Sequence, residues 1–136
     1  MTGETRTDPK WSRTRNGRFH RLLSLDLEQE NLSGAGGVYI AWHGGLKPEW
    51  VTVGRSSNLD HDLGLLIDND EIEYYEKRGG VFVAWSQIRD EFQDGVLLYL
   101  IENLELLIPP IRGPGKGATP IPVFPPGMEP RAEKQT

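Results

Sequence analysis

The chain has no cysteine among its 136 residues. Disulfides, a thiol nucleophile and thiolate metal ligands are thereby excluded. The absence fits a cytoplasmic address without demanding one. Long apolar runs are missing as well. The densest, Val96-Leu97-Leu98-Tyr99-Leu100-Ile101, is broken at once by Glu102 and Asn103. A membrane helix needs about 20 apolar residues, so no membrane partner is expected. No apolar stretch follows the N-terminal charges, and no secretory signal is expected. Proline is scarce until late, since eight of ten lie at or beyond position 109. Cations are missing between Asp60 and Glu76, where seven acids stand with no lysine or arginine.

What remains is a chain with 37% hydrophobic and 26% charged residues. That suits one small soluble domain with tails rather than two cores. Net charge is −5, unevenly spread. Residues 1–21 carry Arg6, Lys10, Arg13, Arg15, Arg18 and Arg21 against Glu4 and Asp8, a balance of +4. The remainder balances to −9, from nine cations and eighteen acids. Three parts follow: a basic N-terminal arm and lead-in over 1–33, a body over 34–108, and a Pro/Gly-rich tail over 109–136. The arm is expected to be flexible, with Trp11 and Phe19 able to dock on the body or on a partner. His20 to Leu32 reads as a short edge strand or a packed lead-in. The tail is expected to be extended or disordered, with Ile121, Val123 and Phe124 as anchors where it crosses the body.

Within the body, Gly37 to Trp42 is β-branched and aromatic, which predicts a strand. Trp50 to Val53 predicts a second, forming an antiparallel hairpin across the glycine-rich loop at His43-Gly44-Gly45. Ser56 or Ser57 is placed to cap a helix, whose face is Leu59, Leu63, Leu66 and Ile67. Asp68-Asn69-Asp70 ends that helix or begins a loop. Val81 to Trp85 predicts a third, central strand, and Ser86 a capped turn through Phe92. Leu97, Leu100, Ile101, Leu104 and Leu107 predict a helix over 95–107 on one face of the sheet, stopped by Pro109-Pro110. The expected fold is α/β: a small three-stranded mixed or antiparallel sheet flanked by helices.

This order and spacing resembles the GIY-YIG nuclease superfamily over about 75 of the 136 residues. Gly37-Val38-Tyr39 stands where that family has its first tripeptide. Thr52-Val53-Gly54 stands at the second, with Thr52 in place of tyrosine. Gly54-Arg55-Ser56-Ser57-Asn58-Leu59 is similar to the family's lead into its first helix, and this is the specific part. Leu100-Ile101-Glu102-Asn103-Leu104 resembles the closing helix. The resemblance implies a fold whose cutting members use a first-helix arginine, a closing-helix glutamate holding a divalent metal, and strand tyrosines. An oxygen ligand suits a hard cation.

The carry-over fails at those positions. The arginine position is Asp62, which reverses the charge. The glutamate position is Leu97, which cannot hold a metal. The second tyrosine is Thr52. An asparagine that often follows the final proline is Arg112. Tyr39 remains, as a packed strand residue with its hydroxyl at the edge. Two residues are candidates to rescue the chemistry. Arg55 precedes the helix on a long side chain. Glu102 lies five residues beyond Leu97, about 140° round the helix.

Other candidates have plainer readings beside them. The acids from Asp60 to Glu76 form a metal cluster with His61, a face for a basic protein partner, or a solvated surface. They lack an ordered ligand spacing. His43 reads as a surface residue of the hairpin loop with no assignable acid–base partner. Gly113-Pro114-Gly115-Lys116-Gly117 lacks the spacing and leading strand of a phosphate loop. Trp42, Trp50 and Trp85 serve the core or a dimer interface. The sequence leads to a catalytically inactive GIY-YIG-like interaction or scaffold module, with a protein partner or self-association and no cofactor. The alternative is a DNA-binding protein touching nucleic acid through Arg13, Arg15, Arg18 and Arg21, or a divergent DNA endonuclease using magnesium or manganese.

Overall fold

Gly37 to His43 is buried at every position but Trp42, which is why it shows no in–out alternation. This strand, β2 (Gly37–His43), has a neighbour on each edge and a layer on each face. β3 (Glu49–Ser56) and β4 (Val81–Gln87) both pair with it antiparallel. A register shift between Ala41 and Trp42 admits one extra residue, Val51, on β3. The computed structural model describes residues 5–130. The arm's first four residues and the tail's last six lie outside the described residues.

The sheet corrects the expectation of three strands. It has four, all antiparallel, in the order β1-β4-β2-β3. The extra strand is β1 (His20–Arg21), which pairs with Val83 and Phe82 on β4. It lies at the start of the 20–32 stretch that reads as a short edge strand or a packed lead-in, ahead of the alternation at Leu23, Leu25 and Leu27.

Two layers close over this sheet. On one face lie α2 (Leu59–Ile67) and α3 (Asp70–Glu76), burying Leu59, Leu63, Leu66 and Ile72 against Tyr39, Ala41, Val83 and Trp85. The short α1 (Leu27–Glu30) packs beside α2. On the other face α4 (Asp90–Asn103) buries Val96, Leu97, Tyr99 and Leu100 against Val38, Ile40, Val53 and Ala84.

Several boundaries differ from expectation. β3 and β4 run past Val53 and Trp85, because backbone pairing with β2 continues where the side chains turn polar. Neither Ser56 nor Ser57 caps α2. Asn58 holds that position, and the Ser56 hydroxyl accepts from the Asn58 N–H at 2.9 Å. A separate α3 follows α2, capped by Asn69, whose side chain accepts from the Glu71 N–H at 2.7 Å. It buries only Ile72, too little to leave a sequence stripe. The closing helix spans 90–103 rather than 95–107. It ends well before Pro109 because Leu104 turns extended and the chain joins the edge of β3. There the Leu107 and Ile108 N–H groups donate to Trp50 O and Val51 O at 3.1 and 2.8 Å.

Arm and tail pack on the body and on each other. The Ser12 N–H donates to Trp85 O at 2.9 Å, and the Ser86 hydroxyl donates to Pro9 O. Thr7 bridges Val123 in parallel, and Trp11 Nε1 donates to Phe124 O at 2.7 Å. Trp11 and Val123 are both buried.

Candidate functional site

Tyr39 and Gly54 are direct partners across β2 and β3. A side chain at Gly54 would collide with the Tyr39 ring, so the glycine leaves the space that the ring fills. Gly37 is constrained in the same way, since a Cβ there would collide with the Ser86 carbonyl. Thus two glycines singled out in the sequence have a packing reason, independent of any family. Val38 and Leu59 are fully buried, on opposite sides of the sheet.

A cleft of about 240 Å³, lined by polar side chains and by Leu65 and Ile111, opens above Tyr39. The first turn of α2 supplies Asn58, His61 and Asp62, and the returning segment after the prolines supplies Arg112. Asn58 is fixed by accepting from the Gly34 N–H at 3.0 Å. Asp62 Oδ2 stands 3.6 Å from Arg112 Nη2, the carboxylate 14% and the guanidinium 60% exposed. Burial pushes the Tyr39 phenol up to about 12, the Asp62 carboxylate pushes the same way, and Arg112 opposes them. The cleft therefore offers a neutral phenol at neutral pH, the Asp62 carboxylate, the guanidinium groups of Arg112 and, at its edge, Arg55, and the exposed His61 ring. It can hold a ligand by hydrogen bonds, while both of its guanidinium groups are already set against acids, Arg112 against Asp62 and Arg55 against Asp94.

Comparison with known protein families, curated proteins and solved structures finds no match. The remaining candidates are therefore placed by geometry alone. Arg55 reaches the cleft's edge, but its register partner is Val38, on the α4 side. Its Nε lies 2.5 Å from Asp94 Oδ1 on α4. Glu102 is exposed on α4 and is not among the cleft's lining residues. Leu97 is fully buried on the face of the sheet opposite Tyr39. Thr52 is buried beside Ala41 on the Tyr39 face. The structure brings Tyr39, Gly54, Asn58 and Asp62 together, and leaves Glu102 and the Arg55 Nε apart from them.

Arg112 was the missed member. Sequence marks it only as a departure, yet an acid at Asp62 beside a buried tyrosine calls for a nearby cation. Among the described residues no group of three or more His, Asp or Glu side chains is placed to hold a metal. Of the acidic stretch, Glu76 is engaged locally, accepting from the Val81 N–H at 2.8 Å and pairing with Arg21 at 2.5 Å. His43 corrects the expectation of a surface loop residue. It ends β2, is only 6% exposed, stacks on Tyr75, and meets Glu49 Oε1 at 3.0 Å through Nε2. The segment Gly115-Lys116-Gly117 faces Glu91 and Asp94, an acidic setting unsuited to phosphate.

The arm's arginines divide into two kinds. Arg13 lies over the Phe19 ring at 4.0 Å and donates to Gly17 O at 2.9 Å. Arg21 pairs with Glu76. Arg15 and Arg18 are exposed and make no ion pair among the described residues.

Proposed function

We propose that residues 34–108 form a GIY-YIG-like interaction or scaffold module that does not cut DNA. The carrying observation is the Asp62–Arg112 pair in the cleft above Tyr39. A cutting site needs a free cation for the phosphate and an oxygen ligand for a metal. Here the cation from Arg112 is set against an acid. The α4 position that would present the metal ligand is Leu97, buried on the other face. These features favour a cleft kept for packing and recognition over one used for phosphodiester hydrolysis.

The test is incubation of the full chain with single- and double-stranded DNA and magnesium or manganese. No cleavage above a metal-free control is expected. Metal-dependent cuts that vanish in Tyr39→Phe or Arg55→Ala would overturn the proposal in favour of a rebuilt nuclease.

A further inference from the structure

Direct partners in an antiparallel sheet present their side chains on one face. Arg21 pairs with Phe82, Phe82 with Trp42, and Trp42 with Trp50. One side chain from each strand therefore stands in a single row, on the α4 side. Phe82 and Trp42 stack at 6.1 Å between centroids, and Trp42 meets Trp50 at 5.8 Å. The Arg21 guanidinium lies 5.4 Å over Phe82, and Phe19 sets its edge against Trp42 at 4.9 Å. All four rings keep partial exposure. A slot of about 180 Å³ opens between Trp42, Pro48, Glu49 and Trp50. The acid in that slot, Glu49, is already held by His43.

The arm carries cations to this row. Residues 5–21 hold six cations and one acid. A tight loop, closed by the Thr14 N–H on Arg18 O at 2.7 Å and the Arg18 N–H on Thr14 Oγ1 at 3.1 Å, presents Arg15 and Arg18 to solvent. The same loop is tied to Phe19, and so to the row, through Arg13. The acids of α2 and α3 lie on the opposite face of the sheet, while the row's own side carries Asp90, Glu91, Asp94 and Glu102 on α4, with Asp94 set against Arg55, and Glu129, which pairs with Arg13. Flat, partly exposed rings near the exposed Arg15 and Arg18 guanidinium groups suit a partner that shows both base faces and phosphates. A single strand shows both. A duplex hides its base faces, and an acidic peptide has few flat rings.

We propose that this row and the arm loop bind single-stranded nucleic acid. Bases stack on Trp42 and Trp50, and phosphates meet Arg15 and Arg18. The proposal names a partner for the non-cutting module and rests on that reading.

The experiment follows the anisotropy of a labelled single-stranded DNA, and of RNA of the same sequence, with the full chain at low and moderate salt. Saturable binding that weakens with salt is expected, as is weaker binding to the duplex. Trp50→Ala should lose about tenfold in affinity and Trp50→Phe much less. Arg15→Glu with Arg18→Glu, both exposed, should weaken binding and flatten its salt dependence. If thermal melting shows Trp50→Ala misfolded, quenching of wild-type tryptophan emission by the strand replaces it. No binding of either strand overturns the proposal. So does binding that ignores Trp50 or leaves the tryptophans unquenched. Competition by polyglutamate as strong as by the strand overturns it in favour of an acidic protein partner. Cleavage is scored in the same samples with magnesium or manganese. Cuts sink the non-cutting reading alone, while binding indifferent to the variants sinks the row alone.

Discussion

Tyr39 and Gly54 show how one residue pair shapes the cleft. The ring occupies the space a Gly54 side chain would take. Gly54→Ala must therefore displace a buried ring, and an overpacked core costs about 1–3 kcal/mol. Urea unfolding should show a loss of that size. The phenol carries a second prediction. Burial, with Asp62, raises Tyr39 from 10.0 to about 12 when folded. An unfolded chain gives up the proton first, so the folded state's advantage is complete below pH 10 and drains away as pH rises through about 12. Urea melts across that alkaline window should fall less steeply for Tyr39→Phe than for the wild type. Equal slopes would show that Tyr39 has no part in the alkaline loss. Arg112→Ala removes the charge that opposes this rise and should move the step higher still, read by ultraviolet titration of tyrosinate.

Helix α4 covers one face of the sheet, and Leu97 is its centre. Leu97→Ala should lower stability by about 2–5 kcal/mol through the lost contacts and the cavity left behind. Leu97→Glu should not create a metal site. It places an unpaired carboxylate among Val38, Ile40 and Val53, so cooperative unfolding should be lost and titration with manganese should give no binding heat. The apolar core of this helix was legible because leucines recur at three- and four-residue steps. Its ends were not. Leu104 and Leu107 continue the pattern after the backbone has left the helix to meet β3. The strands β2 and β4 were legible from unbroken apolar runs, and the leucine face of α2 from its spacing. β1 was legible only as one of two readings of 20–32, being two residues long, and α3 was too polar. In the cleft, Tyr39, Gly54 and Asn58 stood out as a motif in sequence. Arg112 did not, because only the returning chain brings it beside Asp62. Nor did Glu49, which strand register places against His43.

At the scale of the whole molecule the charges are sorted by layer only in part, because α4 carries Asp90, Glu91, Asp94 and Glu102 on the same side as the arm's cations. The acids of α2 and α3 lie on one side of the sheet and the unpaired cations of the arm reach the other. Arg21 and Glu76 join the two regions at the β1 edge. The arm and tail that flank the body close on each other through Trp11 and Phe124. Trp11→Phe keeps a ring and drops the N–H. A loss of about 0.5–1.5 kcal/mol is expected by urea unfolding, with faster hydrogen exchange at the Phe124 N–H, which donates to Thr7 O at 3.0 Å.

That clasp also sets an order of events during synthesis. Trp11 leaves the ribosome 113 residues ahead of the carbonyl that its indole will meet. The sheet and both helical layers are complete in sequence by Asn103, while the arm still waits for its second anchor. The arm, made before the sheet, is thus fixed in full only after the sheet is complete.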